Sequence, residues 1–264
     1  MRLILEAHPD IACYDETKGY AILQNSVSPD LWPARLVGFK LPCWTEQITM
    51  PVLFDEGVEG HCPNFYRGEK MLFFLHRDVR DTIASMLKLK AGASNWCQLS
   101  VARIIAAKVA REPGFRERYA EELSIIASCH APQLGLAALY WKYKTDAYYS
   151  YRSQGLPVLA VCYEDLVSHP QRVLQTICRH LGITFHVNLL RHNELPHAEL
   201  FPNGLTVGNT NPKRPISTDS VGQWVSFFSE RDLALIDLIA GDLPSPVTLV
   251  PPAYTPAIPA RLVS

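Results

Sequence analysis

Residues 76–85, HRDVRDTIAS, hold the pair of side chains with the plainest chemical use. An apolar run, MLFFLH at 71–76, ends just before Arg77, and Ser85 follows about two turns into the helix that the next residues predict. An arginine at a strand tip and a hydroxyl on the adjoining helix can converge on one phosphate. The guanidinium offers a planar fork and the serine a directional donor. The competing use is internal, with Arg77 paired to Asp78 or Asp81 and Ser85 merely polar. Other chemistries leave no mark: the chain has no GxSxG elbow, no GxxxxGK-S/T loop and no cysteine–histidine metal spacing.

The elements that must position this pair follow from periodicity. Residues 2–7 read as the end of a helix stopped near Pro9, and 34–40 (ARLVGFK) as a short strand ended by Pro42. The run at 71–76 reads as a strand buried on both faces. A helix over 79–89 places Ile83, Met86 and Leu87 on one side. Residues 97–153 read as helical throughout, with Leu134, Ala137, Trp141 and Tyr148 at helical spacing. PVLAVCY at 157–163 is a second buried strand, followed by a helix from Pro170 to Gly182 with Val173, Leu174, Ile177 and Leu181 inward. Over 229–240 a late helix starts with Ser229 and Asp232 at capping-box spacing.

Strands alternating with helices predict an α/β fold, a parallel sheet flanked by helices. Ligands of such sheets sit beyond the C-terminal strand ends, which groups Lys40, the segment from Arg77 onward and Tyr163. The expected organisation is one domain over 1–243, with a helical insertion at about 90–153 and a proline-rich tail at 244–264.

Charge narrows the partners. With 25 basic and 26 acidic residues the net charge is −1, which is no electrostatic footprint for nucleic acid or an anionic membrane surface. An anion must therefore be held by a few placed groups. MRLILEAHPD is too short, and too soon broken by Glu6, His8 and Asp10, for a signal peptide, and no apolar run reaches bilayer length. The seven cysteines are odd in number and never spaced as CxxC. They predict reduced thiols, no metal and a cytoplasmic setting.

RDVRDTIAS resembles the 3′-phosphate-binding signature of the sulfotransferases, Arg-Asp-Pro-Arg-Asp with a serine downstream, with Val79 at the usual Pro or Gly. Three further segments agree in order. LPVLAVCYEDLVSHPQRVLQTICRHLGI at 156–183 is similar to the family's strand–YEDL–helix segment, and NPKRPISTDSVGQW at 211–224 to its nucleotide-closing loop. LILEAHPDIACYDETKG at 3–19 resembles the stretch after the sulfate-binding loop, notably in tyrosylprotein sulfotransferases.

The resemblance spans about residues 2–240, is weakest at 90–150, and implies a bacterial-type enzyme with a P-loop NTPase-like fold. It implies 3′-phosphoadenosine 5′-phosphosulfate (PAPS) as donor, adenosine 3′,5′-bisphosphate (PAP) as product and no metal. Arg77 and Ser85 would hold the 3′-phosphate, Tyr163 would lie near the nucleotide, and Arg214, with Lys213 as rival, would contact the phosphates from the closing loop. Glu16 aligns with the general base that takes the acceptor's proton, Asp15 being its confounder, and Lys18 stands where an arginine near substrate is usual. Lys40 matches a lysine that offsets charge on the bridging oxygen of the leaving phosphate.

In that family a first strand runs into a P-S-G-T-T-like loop whose N–H groups cradle the phosphosulfate. Met1 aligns inside the helix after it, so the expectation is a chain truncated at its N-terminus, without that strand and loop. Sulfuryl transfer to a hydroxyl or amine is the leading function, with weak or no turnover expected of this 264-residue chain if that strand and loop are absent. The alternative is a non-catalytic protein of the same scaffold that binds PAP or a partner, and a P-loop kinase lacks its loop. The acceptor class, small molecule, peptide or glycan, is open, as are the oligomeric state and the roles of Trp44, Phe65, Tyr66 and Trp96 in the acceptor-side loops.

Overall fold

Parallel strands and amphipathic helices alternate along the chain of the computed structural model, which describes residues 1–14, 35–40, 71–91, 94–95, 100–155, 157–195 and 211–241. In chain order the elements are α1 (Arg2–Glu6), β1 (Ile11–Tyr14), β2 (Leu36–Phe39), β3 (Leu72–His76) and α2 (Val79–Lys88). A small antiparallel ladder, β4 (Lys90–Ala91) with β5 (Ser94–Asn95), precedes four helices: α3 (Ala102–Arg111), α4 (Phe115–Arg118), α5 (Ala120–Ser128) and α6 (Pro132–Ser153). Then come β6 (Val158–Cys162), α7 (Tyr163–Ser168), α8 (Pro170–His180), 3-10 helices at Val187–Glu194 and Gln223–Ser226, and α9 (Glu230–Ala240).

The parallel pattern holds, and among the described residues it takes the form of small separate ladders. Among the described residues the ladders form two parallel pairs, β1–β2 in register Ile11↔Leu36 to Tyr14↔Phe39, and β3–β6 in register Leu72↔Val158 to His76↔Cys162. Neither β1 nor the short α7 is signalled by sequence, because four and six residues are too few to display a period. Nor is β3 buried at every position: Leu75 is 43% exposed.

Period-2 alternation sorts the β3–β6 side chains between two helical layers. Leu72 and Val158 pack on Ala147 and Tyr151 of α6, and Phe74 meets the Tyr148 ring at 5.4 Å. Phe73, Leu159 and Val161 face the opposite way, onto Val173, Leu174 and Ile177 of α8 together with Ile4 and Ile11. That second core joins both strand pairs, since Leu36 of β2 also packs on it. Beyond α6 a third layer forms, where Ile83 of α2 and Ile236 and Ile239 of α9 are fully buried against Ala137 and Leu139. Burying each such Ile or Leu contributes about 1.5–3 kcal/mol.

Helix ends fall where the chemistry of their caps puts them. Asp78 caps α2, its Oδ1 accepting from the N–H groups of Arg80 (2.8 Å) and Asp81 (3.1 Å). Ser229 and Asp232 form the expected reciprocal capping box of α9. Gly182, at φ 64°, lies just past α8 in the left-handed conformation that glycine adopts without strain.

Candidate functional site

β3 delivers Arg77 to its C-terminal tip, and β6 delivers Tyr163 beside it, because His76 and Cys162 are register partners. The backbone there is fixed from α6, whose Trp141 donates its indole N–H to the Arg77 carbonyl (3.0 Å). The Arg77 guanidinium lies over the Tyr163 ring, 4.7 Å from its centroid. Its Nη2 donates to the carbonyl of Ser220 (2.5 Å), and the Tyr163 hydroxyl meets Ser220 Oγ at 2.6 Å. So the chain segment 211–228, here called the strap, crosses the tip of the β3–β6 pair at Ser220. The Nε of Arg77 is buried and has no hydrogen-bond partner among the described residues.

Among the described residues Arg77 pairs with neither Asp78 nor Asp81. Asp78 pairs with Arg80 instead (Nη2–Oδ2 2.7 Å) and Asp81 turns to the strap. Burial opposes the charge on Asp78, yet the bonds from Arg80 and from the Asp81 N–H outweigh it and hold the carboxyl below its ordinary range. The Asp78 N–H donates to Glu164 Oε1 (3.0 Å), and the Cys162 thiol to Glu164 Oε2 (3.1 Å), which ties the two strand tips together. Burial raises that thiol to about 11, so it is no nucleophile at neutral pH.

His76, the residue before Arg77, is buried edge-on to Trp141 (5.3 Å), and its Nε2 has no partner among the described residues. Burial lowers its pKa to about 4 although Asp78 pulls the other way, so the ring is neutral.

The strap docks along α2. Both Asp81 oxygens take strap amides, Oδ2 from Gly222 (2.7 Å) and Oδ1 from Trp224 (3.1 Å). Arg80 stacks on the Trp224 ring at 4.1 Å, and Lys88 donates to Gln223 Oε1 (2.9 Å) while its ammonium lies 5.1 Å from the Phe227 centroid. None of these α2–strap pairs is visible in the sequence. The only trace is the second Arg-Asp doublet, Arg80-Asp81, whose partners lie about 140 residues away.

Of the residues singled out by sequence, the structure brings together Arg77 and Tyr163 and sets the strap against them. Ser85 sits exposed on α2, and among the described residues no hydrogen bond joins its hydroxyl to any group, Arg77 included. Arg214, exposed on the strap, is turned to its own segment, reaching Asp219 (2.9 Å) and Ser217 (3.4 Å). Those bonds hold the Asp219 carboxyl below its usual range. The Lys213 ammonium has no partner among the described residues; only its backbone N–H is engaged, by Asn211 Oδ1 (3.0 Å). Lys40 extends the β1–β2 ladder with its N–H to the Tyr14 carbonyl (3.4 Å), leaves its side chain exposed, and makes no described contact with Arg77. Glu16 and Lys18 lie outside the described residues, as do Trp44, Phe65, Tyr66 and Trp96. Among the described residues no three His, Cys, Asp or Glu side chains are grouped as for a metal ion, and no helix is long and apolar enough to cross a membrane.

No protein-family model matches the chain. It is 30% identical over 82 residues to a Caenorhabditis briggsae protein titled "Putative protein-tyrosine sulfotransferase", a stretch that is 31% of this chain and 29% of that protein. The chain thus matches less than a third of that relative's length. Among solved structures, the sulfotransferase domain from the curacin biosynthetic pathway is similar at 16% identity, over 86% of this chain and 68% of that domain, with a TM-score of 0.46. The sequence match supports a sulfotransferase relationship for the chain, at the level of class.

Proposed function

We propose that this chain acts as a sulfotransferase, moving a sulfuryl group from PAPS to a hydroxyl or amine acceptor. One observation carries the reading: the Arg77 guanidinium, stacked on Tyr163, keeps a buried Nε–H without a partner among the described residues, at the tip of a parallel strand. An unpaired charged donor in that position is costly unless an anion meets it. A phosphate group suits it, since phosphate accepts from both edges of the guanidinium fork. The exposed hydroxyl of Ser85, on the helix that starts beside Arg77, is free to add a third bond.

On this reading each residue has a separate task. Arg77 and Ser85 bind the donor's 3′-phosphate, Tyr163 orients Arg77, and Arg214 or Lys213 reaches the nucleotide from the strap. Glu16 takes the proton that the acceptor must lose as the new S–O or S–N bond forms, and Lys40 offsets charge on the oxygen that leaves. Lys18 lies on the acceptor side. The test separates binding from transfer. Calorimetry with PAP reports the nucleotide site, and transfer of labelled sulfate from PAPS to hydroxyl, amine and tyrosyl-peptide acceptors reports turnover. Tight PAP binding with transfer supports the enzyme. PAP binding without transfer favours a non-catalytic nucleotide-binding protein, and absence of binding refutes both.

A further inference from the structure

The side chain of Asp81 is only 2% exposed, yet among the described residues it makes no ion pair. Its charge is met by two backbone donors, the N–H groups of Gly222 and Trp224, and both belong to the strap. A buried carboxylate is tolerated only where such donors replace its water. Gly222 is at φ 74°, and this left-handed turn lets two nearby amides point at one anion. Two residues upstream, Ser220 gives its carbonyl to Arg77 and its hydroxyl to Tyr163. A single path of contacts therefore runs from Asp81 through Gly222 to Ser220 and on to the guanidinium at the strand tip. Arg80 on Trp224 and Lys88 on Gln223 brace the same path from the side of α2.

We propose that Asp81 is a positioning residue: it anchors the strap at Gly222 and Trp224 and so sets where Ser220 meets Arg77 and Tyr163, and where the strap closes on the nucleotide. This rests on the reading that Arg77 binds a nucleotide phosphate. Asp81 never touches the nucleotide; it acts through the strap. The carboxylate is required because two N–H groups need two acceptor oxygens. Asparagine supplies one acceptor and turns an NH2 toward the other amide. If the strap lifts, water reaches Asp81 and solvates its charge, so the anchor is reversible. That suits a segment which must admit and release a nucleotide.

Hydrogen exchange by mass spectrometry on wild type, Asp81→Asn and Asp81→Ala, paired with calorimetric titration of PAP, tests the proposal. Peptides covering residues 220–226 are expected to exchange at least tenfold faster in D81A and by a smaller factor in D81N, with α6 and α8 unchanged. PAP affinity is expected to fall in the same order, at least tenfold in D81A. Unchanged exchange over 220–226 in both variants overturns the anchor. Faster strap exchange with PAP affinity within threefold of wild type overturns the positioning role. Loosening of α6 and α8 in D81N also overturns it, since the effect then belongs to the whole fold. A wild-type chain that binds no PAP defeats the phosphate reading, and the positioning role with it, while exchange over 220–226 still decides whether Asp81 anchors the strap.

Discussion

Replacing Arg77 by alanine should remove most of the affinity for PAP. Among the described residues the guanidinium donates once, to Ser220, lies over Tyr163, and keeps its Nε–H without a partner. With a phosphate in place, Nε and an Nη form the two-pronged donor. Each charge-assisted bond is worth about 1.5–3 kcal/mol. Arg77 is half-buried, so part of that is screened. A net loss of about 2–4 kcal/mol follows, roughly 30- to 700-fold in Kd at about 1.4 kcal/mol per tenfold. Arg77→Lys keeps a charge but loses the fork, and should fall between wild type and R77A. Arg172→Ala controls for net charge, because that side chain is 65% exposed and among the described residues pairs only with Asp165, at 3.5 Å. Isothermal titration at physiological salt reads all four proteins. R77A binding PAP within threefold of wild type, or R172A losing as much as R77A, would refute the assignment of Arg77 as the phosphate anchor.

Three further perturbations test the fold beneath the site. Stability should fall as pH drops from 6.5 to about 4, because the unfolded chain takes up a proton that buried His76 refuses. The loss reaches at most about 3 kcal/mol, and urea unfolding across that range should show the slope in wild type and a shallower one in His76→Gln. Leu174→Ala, at a fully buried position between α8 and the β3–β6 pair, should cost about 2–5 kcal/mol in chemical denaturation. Gly135→Ala sets a helix-propensity gain of about 1 kcal/mol against a Cβ placed 2.8 Å from Ile126 Cγ1 and 3.1 Å from Ile239 Cδ1. Overpacking of about 1–3 kcal/mol wins, so its Tm should drop; a Tm above wild type would show that α5 and α9 can shift to make room.

The sequence by itself determined the elements long enough to repeat a period. The helices α2, α6, α8 and α9 are where apolar spacing puts them, with Ile83, Leu134, Val173 and Ile177 inward and the Ser229–Asp232 box at the head of α9. Strands β3 and β6 were legible because their apolar runs end at Arg77 and Tyr163, the two residues that meet in space. Strand β1 was not legible, and neither was the pairing of β1 with β2 and of β3 with β6 among the described residues, since pairing is decided between segments rather than within one. Only the tertiary structure decided what Arg77 and Asp81 do. Sequence proximity offered Arg77 the carboxylates of Asp78 and Asp81, but helix geometry gives Asp78 to the α2 cap and to Arg80 and turns Asp81 to amides far along the chain. A local motif fixes which groups are near one another along the backbone; burial and the need to satisfy every buried charge fix which of them meet.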